Sequence, residues 1–223
     1  MTTPLMTSFI EDFGSSLPRL LDGLQVSALL TGGGLTLGLP LALAAALAQM
    51  SSVRWLQAGA VVFVEVGRGA PALVLLQLAY FGLPNAGIVL PAVLSAITAL
   101  SWTTAAYGAE YIRSGLAAVP NREIEGCQAL GMNRRDTLRF VVVPQGLRIA
   151  LPSLMGFAVM LFQATSLAYS VAVPELMSQA YSIGSSNFRY LNALVAAGLL
   201  YAAISIPTTW LSIGVERRMN RHA

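Results

Sequence analysis

The sequence has one cysteine, one histidine and no lysine, and only 10% of its residues are charged. Each shortage excludes something. Cys127, standing alone, offers neither an intrachain disulfide nor a cysteine-based metal site. His222, the single histidine, lies one residue from the end, which removes most histidine-dependent catalytic dyads and zinc sites. An ordinary soluble domain carries roughly 25% charged residues. With 10% charged and 56% hydrophobic residues, this chain lacks the means to cover a globular surface and reads as an integral membrane protein. Its 13 cations are all arginine and its formal net charge is +3. These arginines flank apolar runs, so the positive balance does not point to nucleic acid. The first charges, Glu11 and Asp12, are acidic, and no cleavable signal peptide is expected.

What is present is a series of apolar runs. Residues 1–20 mix apolar and polar positions without spanning length; Phe9, Ile10, Phe13 and Leu17 share one helical face, so either a short interfacial helix or a frayed terminus fits. The run 28–48 has no charge and, at 1.5 Å per residue, reaches across a hydrocarbon core of about 30 Å. Further spans are predicted at 56–83, 88–111, 149–167 and 191–213, with a turn at 82–87 and a polar loop with short helical pieces from Pro174 to Asn187. The expected architecture is therefore an all-α integral membrane protein of about five transmembrane helices. A single domain occupies 1–223, with a periplasmic or interfacial N-terminus (1–20), a bundle over about 20–215 and a tail at 216–223.

Polar residues inside these spans are the candidates for a path through the membrane. A charge near the bilayer centre costs at least about 2.5–3.5 kcal/mol, yet the second span carries Glu65 and Arg68 near its middle. Their i, i+3 spacing lets them pair on one helical face. The pair is either an internal brace or a polar lining or gate. In the third span Thr103, Tyr107 and Glu110 form one stripe beside Thr104; in the fourth, Gln163, Thr165 and Ser166 are the polar positions. Hydroxyls in such helices also bond simply to a preceding carbonyl or a neighbouring helix, so both readings stand.

One polar stretch interrupts the apolar pattern, at 113–144, with Arg113, Arg122, Arg134, Arg135 and Arg139 in it and Arg148 just beyond. Five spans put the termini on opposite sides. Arg54, this cluster and Arg217, Arg218 and Arg221 then share one side, against Arg19 and Arg189 on the other. The positive-inside bias makes the stretch and the tail cytoplasmic and puts the N-terminus outside. Within it, Pro120 suits a helix start, complemented by Glu123 and Glu125. Gly131 supplies a left-handed stop after Leu130. Asn133 caps a second helix, with Asp136 three residues on. Two short helices hinged at a glycine make a compact knuckle, with Ala118, Ile124, Cys127, Ala129 and Leu130 as its small and apolar surface and Arg134 among the arginines that rim it.

The order of these features resembles the permeases of bacterial ABC importers. E-G-C-Q-A-L-G at 125–131, continuing to Pro144, is similar to the "EAA" loop of that family. E-V-G-R-G-A-P at 65–71 is similar to the E-L-F-R-G-T-P of its polar-amino-acid uptake subfamily (histidine, glutamine and arginine permeases). P-Q-G-L-R-I-A-L-P at 144–152, T-S-L-A at 165–168 and V-P-E-L at 173–176 also fit. The resemblance covers about 25–218. It implies the type I importer permease fold and a chain that performs no covalent chemistry. It implies a cytoplasmic coupling loop whose Glu125, Ala129 and Gly131, with Pro120, Gly126, Cys127, Leu130 and Arg134 around them, meet a dimer of ATPase subunits. That ATPase holds ATP and Mg, and no cofactor is expected on this chain. A second permease, the same or a relative, and a periplasmic amino-acid-binding protein complete the implied assembly in the bacterial inner membrane. A stand-alone secondary transporter or channel using Glu65, Arg68 and Glu110 is the competing class.

The departures from the family pattern are specific. Gly126 and Cys127 replace two alanines, and Gly67 replaces a bulky residue. Thr103-Thr104 stands where N-S is frequent, and Gly156-Phe157-Ala158 and Gln163-Ala164 replace N-E-F and K-D.

Overall fold

The computed structural model describes residues 4–219, with side chains from Asp12 onward. Phe9, Ile10, Arg221 and His222 therefore lie outside the side chains described. The described residues form helices and turns: α1 (Pro4–Gln49), α2 (Arg54–Gly69), α3 (Ala72–Gln77), α4 (Ala92–Ala117), α5 (Asn121–Ala129), α6 (Arg134–Asp136), α7 (Val143–Ala164), α8 (Leu176–Asn187) and α9 (Tyr190–Met219).

Several boundaries differ from those expected. The backbone from Pro4 onward continues without a break into the first span, so 1–20 contains no separate interfacial helix over its described part. The second span is broken. Pro71 has no N–H and disfavours helical geometry in the residue before it; Ala70 is extended (φ −82°, ψ 134°), and the chain turns by 104° between Arg54–Gly69 and Ala72–Ala86. Beyond α3 the helix widens to a π turn over Leu78–Gly82, tightens to 3-10 over Leu83–Ala86 and stops at Gly87 (φ 80°). Asn133 does cap a helix, accepting from Asp136 N at 2.9 Å, but that helix is not short. It continues through a π turn at Thr137–Val142 into α7, and a 3-10 turn extends it to Val171. The 174–187 loop is mostly one helix, α8.

Among the described residues, three helices are long and apolar enough to cross a membrane, Asp12–Gln49, Arg134–Val171 and Tyr190–Met219, and the bent pair makes a fourth if counted as one span. The 26-residue α4 is long enough but less apolar, because Ser101, Thr103, Thr104, Tyr107 and Glu110 lie along it. Ala96, Leu100, Ala105, Ala106 and Ala109 of α4 are fully buried. A helix surrounded by its own chain has no need of an apolar side all round. The exposed large side chains are apolar instead, among them Trp55, Val62, Phe81 and Trp210, which is the surface that lipid solvates.

The chain forms two compact units. The first comprises the described residues to Leu35 with Pro71–Leu100 and Val159–Thr208; the second comprises Thr36–Ala70, Ser101–Ala158 and the described residues from Thr209. In the first, Leu20, Leu176, Ala180, Ile183 and Ala193 build the core. There α8 lies along α1: Glu175 meets Ser27, Arg19 donates to Gln179 and Ser182, and Arg189 and Asn192 hold Asp12. As numbers rise from 175 to 192 they fall from 27 to 12 along α1, so the two segments run antiparallel, fastened by polar contacts at Asp12, Arg19 and Ser27. In the second unit the core is Ala42, Ala46, Val64, Ala109, Ile112, Leu116, Val119 and Val142. Lipid supplies no hydrophobic drive between helices, so close approach of small residues must do the packing.

Candidate functional site

The coupling-loop candidates sit on α5 and the turn after it. Glu125 and Ala129 are one turn apart on the exposed face, and Gly126 is exposed beside them. Leu130, at 84% exposure, projects where the helix ends. A leucine this bare at the end of a short polar helix is an apolar knob that the described residues leave uncovered. Gly131 takes φ 75°, which lets its N–H reach Gln128 O (2.9 Å) and lets Met132 N reach Cys127 O (3.0 Å). This pair of bonds closes the helix end. Pro120, extended, precedes the first turn, and Arg134 is exposed at the start of α6.

Cys127 does not belong to the outward surface. It is buried, and Ile124, on the same side of α5, packs against the second unit's core. Two residues along a helix turn the side chain by about 200°, so Glu125 facing out places Glu123 and Cys127 inward. Alkylation of Cys127 in the folded protein is accordingly expected to be at least about tenfold slower than in denaturant; mass spectrometry after timed maleimide exposure measures it, and equal rates would place the thiol on the surface.

In the second unit the membrane charges form a chain rather than a pair. Arg68 Nη1 lies 3.8 Å from Glu65 and 3.6 Å from Glu110, and Arg113 takes Glu110 in a fork, Nε to Oε1 at 3.2 Å and Nη2 to Oε2 at 2.8 Å. Glu110 is the centre of this network. Its side chain is 21% exposed against 68% for Glu65, and it serves two guanidinium groups. The i, i+3 pair expected from spacing is thus its weakest link, and Arg113 is a member that spacing within one span did not reveal.

Tyr107 donates to Arg68 O at 3.4 Å, and the Arg68 guanidinium stands 6.0 Å from the centre of its ring. The end of α2, just before the break at Ala70, is therefore held to α4 by charge and by hydrogen bond. Thr103 and Thr104 are buried. Phe157, at the altered position in the fourth span, stacks on Tyr107 (5.6 Å) and lies against Tyr111 (6.1 Å). Gly67 also has a physical reason: a Cβ there would lie 2.6 Å from Ala106 Cβ and 2.9 Å from Trp102 Nε1. The Trp102 indole stacks on Phe63 and donates to its carbonyl at 3.2 Å.

The fourth-span candidates lie in the first unit. Thr165 donates to Phe162 O and Ser166 to Gln163 O, at 2.7 and 2.8 Å, so both hydroxyls serve preceding carbonyls. Gln163 is exposed. The structure thus groups Glu65, Arg68, Thr103, Thr104 and Tyr107 in one unit and Gln163, Thr165 and Ser166 in the other. Among the described residues, no group of three or more His, Cys, Asp or Glu could hold a metal ion.

Glu175 is the residue whose importance the sequence left unread, although its V-P-E-L context stood out. Fully buried, it caps α8. Its carboxylate accepts from Met177 N (2.8 Å), Ser178 N (2.7 Å), Tyr201 Oη (3.0 Å) and Ser27 Oγ (3.5 Å). Burial pushes its carboxyl above the usual range, against the lowering effect of the two backbone N–H groups. Glu175→Ala strands these donors, and about 2–4 kcal/mol of stability is expected to be lost, read as a lower thermal midpoint in detergent. The sign of the pH effect follows from the raised value. The folded chain holds the proton more tightly than the unfolded chain. The group's contribution is present below the ordinary Glu range and is lost as pH rises through the raised value. Glu175→Gln is expected to flatten that dependence; an unchanged slope would assign it to another group.

The comparisons with known proteins agree with this arrangement. The family model for "Binding-protein-dependent transport system inner membrane component" matches residues 38–221. A probable amino-acid ABC transporter permease of Bacillus subtilis is 35% identical over 189 residues, 85% of this chain and 84% of that one. The L-cystine transport system permease of the same organism is 34% identical, over 92% of this chain and 88% of that one. The glutamine transport system permease of Escherichia coli is 31% identical, over 92% and 94%. Among solved structures, an amino acid ABC transporter crystallised with histidines superposes with a TM-score of 0.87 at 30% identity, covering 98% of this chain and 100% of that one. The inward-facing methionine transporter MetNI, at a TM-score of 0.64 and 19% identity over 96% of this chain and 99% of that one, shares the fold. With the type I importer permease fold and several apolar helices, the chain belongs to the family of binding-protein-dependent transport system inner membrane components, as a multi-pass permease similar to those of amino-acid ABC transporters.

Proposed function

We propose that this chain is the permease subunit of an ATP-driven importer that carries an amino acid, received from a periplasmic binding protein, into the cytoplasm. The observation that carries the proposal is the outward face of α5, where Glu125, Gly126, Ala129 and the bare Leu130 lie together, on a chain whose family match spans 38–221. That face is the seat for a partner ATPase, which holds ATP and Mg. The arginine bias supports a periplasmic N-terminus and a cytoplasmic loop and tail: counting the bent pair and α4 as one crossing each gives five. A second permease completes the pathway, and closure of the ATPase dimer moves the knuckles and switches the bundle between outward- and inward-facing states. Similar permeases belong to transport systems for cystine, glutamine, arginine and octopine, which supports an amino acid or a derivative of one as cargo.

A stand-alone transporter using Glu65, Arg68 and Glu110 fits less well, because all three charges are engaged in ion pairs and the α5 face would have no purpose. The permease co-reconstituted in proteoliposomes with its ATPase and binding protein tests the choice. Amino-acid uptake that needs internal ATP supports the importer; uptake of equal rate without ATP refutes it.

A further inference from the structure

The coupling loop is a closed body, and two residues outside its exposed face hold it closed. The chain leaves the bundle at Gly115 of α4 and rejoins it at Gly146 of α7. A Cβ on Gly115 would lie 2.3 Å from Gly146 O and 3.0 Å from Ala150 N; one on Gly146 would lie 2.7 Å from Leu116 Cα. The two backbones therefore touch at the neck of the loop, a contact available only to glycine. One residue from this neck, the Gln145 amide donates to the Glu123 carboxylate, 22 residues away in sequence and in the first turn of α5. Both side chains are part-buried. On the same inward side Cys127 is buried, and Ile124 rests on the core that includes Leu116, Val119 and Val142. At the far end the Asn133–Asp136 cap joins the turn to α6, which is continuous with α7.

We propose that Glu123 and Gln145 are positioning residues that clamp the first turn of α5 to the first turn of α7, so that displacement of the knuckle is delivered to the membrane helix instead of being absorbed within the loop. The proposal rests on the ATP-driven reading above. Neither residue belongs to the face offered to the ATPase, because Glu123 points about 200° away from Glu125 around α5. Loss of the clamp should leave docking and hydrolysis in place and waste the stroke.

The test uses the whole transporter in proteoliposomes, measuring radiolabelled amino-acid uptake and phosphate release together. Glu123→Ala and Gln145→Ala are each expected to lower the amino acid carried per ATP hydrolysed by about fivefold or more, with ATPase co-purification and hydrolysis within about twofold of the wild type. The double alanine variant should be no worse than either single one. The exchange Glu123→Gln with Gln145→Glu reverses the direction of the hydrogen bond and should restore the ratio. An unchanged ratio in the single variants, loss of ATPase co-purification, multiplying effects in the double variant, or no rescue by the exchange each overturns the clamp. Failure of the wild type itself to show ATP-dependent uptake would refute the ATP-driven reading instead.

Discussion

Gly131→Pro is expected to abolish ATP-driven uptake while the chain still inserts in the membrane. At φ 75° the position is left-handed, and proline is confined to about −65°. The substitution also deletes the N–H that reaches Gln128 O. The turn must open, and Leu130 and the Asn133 cap, one residue before and two residues after Gly131, lose their relative placement. A proline misfit of about 3 kcal/mol corresponds to roughly a hundredfold loss in occupancy of the docked geometry, at 1.36 kcal/mol per decade. Gly131→Ala should fall between, because a left-handed alanine costs only about 1–2 kcal/mol. Membrane insertion has no reason to change: the turn lies in the polar loop. Uptake and ATPase pull-down, measured beside the amount of permease in the membrane fraction, separate the two effects. Wild-type uptake by the proline variant would mean that the knuckle has no part in coupling.

The second large effect is expected at Glu110. Glu110→Ala removes the acceptor shared by Arg68 and Arg113 and leaves two arginines without it inside a bundle that lipid surrounds. With both guanidiniums partly exposed and Arg68 still 3.8 Å from Glu65, losing the shared acceptor should cost about 1–3 kcal/mol and show as low yield and a lowered thermal midpoint. Arg68→Ala is milder in stability, since Glu110 keeps the 2.8 Å fork to Arg113. Its effect should fall on uptake, because it frees the end of α2 at the 104° bend from α4. Glu65→Ala, at the most exposed end of the network, should do least. The predicted order of destabilisation is Glu110, then Arg113, then Arg68, then Glu65. A Glu65 variant as damaging as a Glu110 variant would show that the pair within α2 is the one that matters.

Local grammar was readable in the sequence wherever a single residue type decides a backbone state. Gly131 in the left-handed region and the Asn133–Asp136 cap both follow from short-range stereochemistry. Pro71 was equally visible, but hydropathy is blind to direction: an apolar run reads the same straight or bent, so 56–83 looked like one span. The Asn133 cap marks where a second helix starts but not how far it runs, and helical hydrogen bonding continues into α7 because nothing in that stretch stops it. Side-chain facing was the other limit. Cys127 is small and apolar like Ala129, and only the rotation about α5 separates a buried thiol from an exposed methyl. Long-range partners were out of reach. Glu175 meets Ser27 and Tyr201 across 148 and 26 residues, and Gln145 meets Glu123 across 22; periodicity within one helix holds no information about either. The hydroxyls of Thr165 and Ser166 turned to preceding carbonyls, a choice open to any serine or threonine in a helix.

If the exposed face of α5 seats an ATPase subunit, binding of that subunit must shield Leu130 from solvent. In a Cys127→Ala background, Leu130→Cys in nanodiscs should react rapidly with a water-soluble maleimide, as an 84% exposed position must. Addition of the ATPase subunit should suppress that reaction by about tenfold or more, as expected of a side chain enclosed in a desolvated interface. Equal labelling with and without a bound ATPase would contradict the account.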